Sequence, residues 1–238
     1  MKAFLLLLFS ITPTIYSFNQ PHLDLSENKA LTNLGSDFTS TFNENMYAAL
    51  KLEQAGLARN VFEKALLGYQ RLESEGSLKS KQLLTIIDFD KSANSERLWI
   101  IDLNAQNLLL KTLVAHGRNS GELYARKFSN QVNSYKSSLG FYITGKTYYG
   151  KHGLSLRLEG MEPGINDQAA ARAIVMHGAN YVSKVFIKRH GRLGRSHGCP
   201  AVPTRLAPDI IPLIANGSCL FIHHSDERYR KDSNLIQS

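Results

Sequence analysis

The sequence predicts an α+β fold, in which a mostly β domain, sandwich- or barrel-like, follows a small helical N-terminal region. Three observations carry this. Apolar residues recur near helical spacing between residues 43 and 72. From Leu83 onward, short runs rich in Leu, Ile, Val and Trp replace that period. Polar, turn-forming stretches separate those runs, as at Asp102–Asn107 and His116–Ser138.

In chain order, Met1-Lys2 precedes an apolar run, Ala3–Phe9, then Ser10-Ile11-Thr12-Pro13 and a small residue at Ser17. This predicts a secretory signal peptide over residues 1–17. The run is too short to span a bilayer as a mature helix. The expected location is therefore outside the cytoplasm, in the periplasm or cell wall, without stable membrane insertion after cleavage. Residues 18–81 form the predicted helical region. Met46, Leu50 and Leu57 mark one helix over 43–57, and Val61, Ala65, Tyr69 and Leu72 mark a second over 60–72. Gly56 divides them and Gly76-Ser77 ends the second.

The main domain is expected over 82–225. Leu83–Phe89, Arg97–Leu103 and Leu108–Ala115 read as strands, with a turn of Asx type at Asp102–Asn107 between the second and third. The polar stretch His116–Ser138 is long enough to be a functional loop. Strands resume at Gly140–Thr144, Leu154–Glu159 and Ala173–His177. Gly191–Val202 reads as loop and Pro203–Ala215 as a helix, with Gly217 past its end. Leu220–His223 closes the domain as a strand. Residues 226–238 read as a polar, frayed tail.

Hydrophobic residues make up 43% of the 238 and charged residues 20%, a globular composition. The net charge of +8 favours anionic surroundings. No basic arm accompanies it, and aromatic residues do not interleave with a basic patch, so nucleic acid is not an expected partner. Two cysteines are too few for a disulfide framework. Cys219 lies in the apolar run Ser218–Ile222, where a cysteine is a small core residue. Cys199 lies between His197-Gly198 and Pro200, which is no core environment.

Ser196-His197-Gly198-Cys199 carries the strongest chemical signal. A thiol becomes a nucleophile as thiolate, which needs positive charge or donors nearby. Arg192, Arg195 and His197 are the candidates for that role. Gly198 permits a backbone turn that aims consecutive N–H groups at one point, as an oxyanion hole requires. The second motif is Met176-His177-Gly178-Ala179-Asn180, where His177 emerges from an apolar strand. A cysteine nucleophile needs such a base. The base needs an acceptor on its other nitrogen, and with no carboxylate close in sequence the Gly178 carbonyl is the nearest candidate.

His177-Gly178 followed by Ser196-His197-Gly198-Cys199 resembles the signature of the L,D-transpeptidase (YkuD-type) catalytic domain, over roughly Leu83–His223. The resemblance implies Cys199 as nucleophile, His177 as base oriented through Gly178, and His197 in support. It implies an oxyanion hole from the N–H groups of His197, Gly198 and Cys199, and acyl transfer on peptidoglycan stem peptides without a cofactor. Ser196, Arg195, Arg192 and Asn180 are the expected substrate contacts. A wall-anchored protein is a further expected acceptor. The run Gly194–Pro203 is more similar to a divergent murein L,D-transpeptidase branch. Commoner members carry Arg or Asn two residues after the cysteine, where this chain has Ala201.

Three rival readings compete. Gly140–Thr147 satisfies the phosphate-loop pattern, but a strand-like interior and no following helix argue against it. A zinc site built from His177, His197 and Cys199, with His190, His223 and His224 as further material, is the second, although His197 and Cys199 are only two apart and have no carboxylate beside them to act as base. The third is a non-catalytic wall-binding module, which makes Cys199 dispensable. Hydrolysis of the stem peptide, with water as acceptor, is the alternative within the enzyme class.

Overall fold

A computed structural model of the protein describes residues 44–79 and 82–237. The expected signal peptide, 1–17, and residues 18–43 of the expected helical region lie outside the described residues. The chain is helical over 44–49 (α1), which is shorter than apolar spacing predicts. It stops because Lys51 turns left-handed, at φ 51°, so that Leu52 and Leu57 can enter the core. Helix α2 (Arg59–Ser74) buries Val61, Phe62, Ala65, Leu66, Tyr69 and Leu72, one helical face. Gly68 lets that face lie directly on the sheet, since a Cβ there would stand 2.0 Å from the Phe141 ring.

The strands are β1 (Leu83–Asp88), β2 (Leu98–Asp102), β3 (Asn107–Thr112), β4 (Gly140–Gly150), β5 (Gly153–Gly160), β6 (Val175–Ala179), β7 (Ala201–Pro203) and β8 (Cys219–His223). Helices α3 (Lys184–His190) and α4 (Ala207–Ile214) flank β7, and α5 (Glu227–Asp232) follows β8. The Asp102 carboxylate accepts from the N–H groups of Asn104 and Ala105 and so builds the expected turn before β3. Gly140–Thr147 lies wholly within β4, so the phosphate-loop pattern there has no helix to open.

All eight strands form one sheet in the order β3-β2-β1-β8-β4-β5-β6-β7. The β1–β8 and β6–β7 pairs are parallel, and the other pairs are antiparallel. The sheet nearly closes on itself. Beyond β3, Ala115 exchanges two hydrogen bonds with Ala201 of β7, at 2.8 and 3.4 Å, and Gly117 bridges Ser196. Helix α2 packs on β1 and β8, and α4 on β4, β5 and β6. Trp99, Phe62, Phe141 and Phe221 fill the shared core with Leu and Ile side chains. A second, small cluster of Ala115, Ala179, Val182, Leu193 and Ala201 lies where β7 meets the chain after β3. Among the described residues no helix is long and apolar enough to cross a membrane.

The segment expected to fray is ordered as α5, because Glu162 reaches it from the core. The Glu162 carboxylate accepts from Tyr229 Oη (3.0 Å), Ser233 Oγ (2.9 Å) and the Phe141 N–H (3.3 Å). Burial raises its pKa from 4.5 to about 7, against those hydrogen bonds. Between these values the native state holds a proton that the unfolded chain releases, so stability falls as pH rises through the window. A shift of this size is worth about 3 kcal/mol. Glu162→Gln keeps hydrogen-bonding atoms in place and should flatten that part of the curve. Urea denaturation at pH 5 and pH 8 measures the slope in both proteins, and an equal slope would refute the assignment.

Candidate active site

Strand β6 presents His177, and the parallel strand β7 aligns Ala201 beside it. Cys199, two residues before Ala201, therefore stands next to Val175 at the same end of the sheet. Its sulfur confirms the register: the Val175 N–H donates to Sγ at 3.5 Å, and the thiol points to the Ala173 carbonyl at 3.7 Å. Ala173 holds φ 52°, a conformation unfavourable for a residue with a Cβ. That turn delays the start of β6 to Val175 and aims the Ala173 carbonyl at the nucleophile.

The Ser196–Cys199 turn holds itself. Ser196 is buried. Its Oγ donates to the Cys199 carbonyl at 2.6 Å and accepts from the Gly198 N–H at 3.0 Å. Its hydroxyl is thus used inside the turn rather than turned toward a substrate. The Gly198 N–H is likewise committed, unlike the expectation that it helps form an oxyanion hole. Gly198 takes φ 126°, and a Cβ there would stand 2.8 Å from the Lys136 carbonyl oxygen. Ser137 Oγ closes the turn from outside by donating to the Gly198 carbonyl at 3.2 Å.

The His177 ring is 2% exposed. Its Nδ1 lies 2.9 Å from the Gly178 carbonyl. This contact fixes the tautomer with the proton on Nδ1 and leaves Nε2 as the basic nitrogen. A Cβ on Gly178 would meet Ala207 and Thr204 at 3.0 and 3.1 Å, so glycine also lets α4 approach. Burial lowers the His177 pKa, as do His152 and Lys151, while the Gly178 carbonyl opposes them. Burial raises the Cys199 pKa, against the Val175 N–H, Arg172 and Lys151. Both shifts favour a neutral thiol and a neutral imidazole at rest.

The expected charges lie elsewhere. Arg192 and Arg195 both bind Glu122, at 2.7 and 2.6 Å, and Arg195 also donates to the Arg118 and Gly121 carbonyls. The cations that act on the sulfur are Arg172 and Lys151, which sequence reasoning missed. Arg172 donates to the carbonyls of Ser129 (2.7 Å) and Lys136 (2.5 Å) and to the hydroxyls of Ser134 and Ser138. It pins the polar stretch 116–138 against the nucleophile turn. His197 is exposed on the turn and leans on Tyr135 of that stretch, with ring centroids 4.7 Å apart. Tyr181 also lies near the sulfur; burial, then the Cys199 charge, pushes its phenol up to about 12.

Asn180 sits just past the end of β6. Its Oδ1 accepts from Thr204 Oγ1 at 2.8 Å, and it lines a cavity of about 490 Å³ with Lys184, Arg205, Leu113 and Val182. Ala201 is 0% exposed within the small alanine-rich cluster. A long polar side chain has no space there.

The zinc reading loses its geometry. His177, His197 and Cys199 do not converge; the group of three that does, among the described residues, is Asp88, Asp90 and His223. There Asp90 pairs with the Nε2 atoms of His223 and His224, each at 3.3 Å. His223, the last residue of β8, is buried.

Removing the Arg172 charge should raise the Cys199 pKa further. Arg172→Gln is expected to slow iodoacetamide alkylation at pH 8 by roughly three- to tenfold, the effect of half a unit to one unit. Unchanged alkylation would show that Arg172 acts on the loop alone.

A sequence profile of the L,D-transpeptidase catalytic domain (YkuD-type) matches residues 53–223. No curated protein matches. Among solved structures, an L,D-transpeptidase from Mycobacterium smegmatis aligns at 12% identity and TM-score 0.38, over 61% of this chain and 60% of that one. The helical cell shape determining protein Pgp2 from Campylobacter jejuni aligns at 11% and 0.40, over 68% and 56%. L,D-transpeptidase 3 from Mycobacterium tuberculosis aligns at 9% and 0.39, over 61% and 62%. The chain thus spans about 60% of the length of these structures. The profile match covers well over half of the chain, and the protein belongs to the L,D-transpeptidase catalytic domain family. That family acts on peptidoglycan stem peptides. The match includes α2, so the helix before β1 falls within the family domain.

Proposed function

We propose that the protein is an exported L,D-transpeptidase that works through a thioester on Cys199 with His177 as base. One observation supports this above the others. The His177 ring is locked by Gly178, 2.9 Å from Nδ1, with Nε2 left basic on the strand beside Cys199. At rest the thiol faces Ala173, so turning Sγ toward Nε2 is the first step.

His177 Nε2 takes the thiol proton, and the thiolate attacks the carbonyl at the L-centre of the third stem residue. Backbone N–H groups of the turn, those of His197 and Cys199, stabilise the oxyanion. The bond to the terminal D-residue then breaks, and His177 returns its proton to the leaving amine. An acceptor amine, from another stem or a wall protein, gives a proton to His177, attacks the thioester and frees Cys199. Water in that position makes the reaction a carboxypeptidase step. The apolar run after Met1-Lys2, read as an export signal, supports the periplasm or cell wall as the place of this chemistry.

The test is incubation of purified protein with a stem tetrapeptide, with products read by mass spectrometry. Release of the terminal D-residue with joined stems supports transpeptidation. Release with free tripeptide assigns hydrolysis, and no release refutes the reading.

A further inference from the structure

The β4–β5 hairpin turns through Lys151-His152-Gly153, with Gly153 left-handed at φ 75°. β5 is the neighbour of β6, and its Ser155 pairs directly with His177. The turn therefore stands beside the base, and His152 lays its ring on it. The two imidazoles lie 4.3 Å apart between centroids with planes 17° from parallel. His152 is itself exposed, so it forms the solvent-side wall of an otherwise buried ring.

The charged and titratable groups around this pair are few. Lys151 and His152 face His177 from the hairpin. His197, on the nucleophile turn, acts on His152. Cys199 stands on the turn before the adjacent strand, β7. A neutral stack at this separation is attractive. Two protonated rings at the same distance repel, so the pair takes its second proton reluctantly.

We propose that His152 is a positioning residue for His177: its stacked ring holds the imidazole plane that presents Nε2, and its charge, when it is protonated, keeps the proton off His177. This deepens the reading of His177 as the base and rests on it for its catalytic meaning. The site would then remain competent at lower pH than a lone buried histidine allows.

The test separates the two ideas. Imidazole NMR titration of the full chain follows His177 directly, with no substrate present. In both His152→Ala and His152→Phe the His177 titration should move up by about half a unit to one unit, because a nearby charge is gone. Phenylalanine preserves the stack and alanine does not. Hence kcat on stem peptide should fall on the order of tenfold in His152→Ala with little change in KM, through a looser ring. His152→Phe should recover kcat above pH 7 yet keep the displaced acid limb. A His177 titration unmoved in both variants overturns the proposal, even in an active enzyme. Equal kcat losses in both variants overturn the stacking half of it. A shifted titration in a protein that processes no stem peptide supports the pairing and overturns the proposed function instead.

Discussion

Cys199→Ala should lose turnover altogether, by on the order of a millionfold, the scale of removing a nucleophile from a covalent mechanism. The protein should still fold. The sulfur makes only two long backbone contacts, and the turn is held by Ser196 and Ser137, which the substitution leaves intact. Intact-mass spectrometry gives the second readout. The parent protein should gain the mass of a stem-peptide acyl group, or of a β-lactam offered in its place, and the variant should not. Cys219→Ala is the control, being fully enclosed on β8; it should cost some stability and leave the adduct in place. An unchanged rate in Cys199→Ala would end the thioester reading and promote the wall-binding one.

The second large effect is at His177. His177→Ala should lower kcat by roughly a hundred- to ten-thousandfold, and it should also change the shape of the pH profile. Burial and the neighbouring His152 push the His177 pKa below its ordinary 6.5. The parent rate should hold as pH falls through neutrality and drop only once His177 takes its proton, at a pH below 6.5. The variant, without that group, should show no such acid limb. A full-sized acid limb in His177→Ala would assign the titration to another residue, with His197 the first to examine.

Much of the domain was legible because its signals are local. The runs at Leu83, Arg97, Gly140 and Leu220 are apolar on a scale of five residues, and each is a strand. The two His-Gly motifs stood out by residue type alone, and the Gly178 carbonyl contact followed from the missing carboxylate. Charge placement failed for the opposite reason. Arg192 and Arg195 are near Cys199 in sequence, yet Glu122 on a distant loop draws both away. Arg172 and His152 reach the site only through tertiary folding, and no local pattern marks either. Helix α3 was missed because it is only seven residues long, with its apolar residues in one consecutive run, Val185-Phe186-Ile187, rather than at helical spacing. The tail was misread as frayed because its anchor, Glu162, belongs to a remote turn.

The contact between Ala115 and Ala201 has a kinetic consequence. It joins the two ends of the sheet order across a large sequence separation, and the chain gains little from it until the strands between have paired. Closing the seam, like pairing β1 with the distant β8, is thus a non-local step that carries its own loop-closure cost. Cys199 sits two residues from that seam, so catalytic competence reports on its closure, while Trp99, buried in the main core, reports on the rest. The joint that closes the sheet is thus the one that carries the nucleophile.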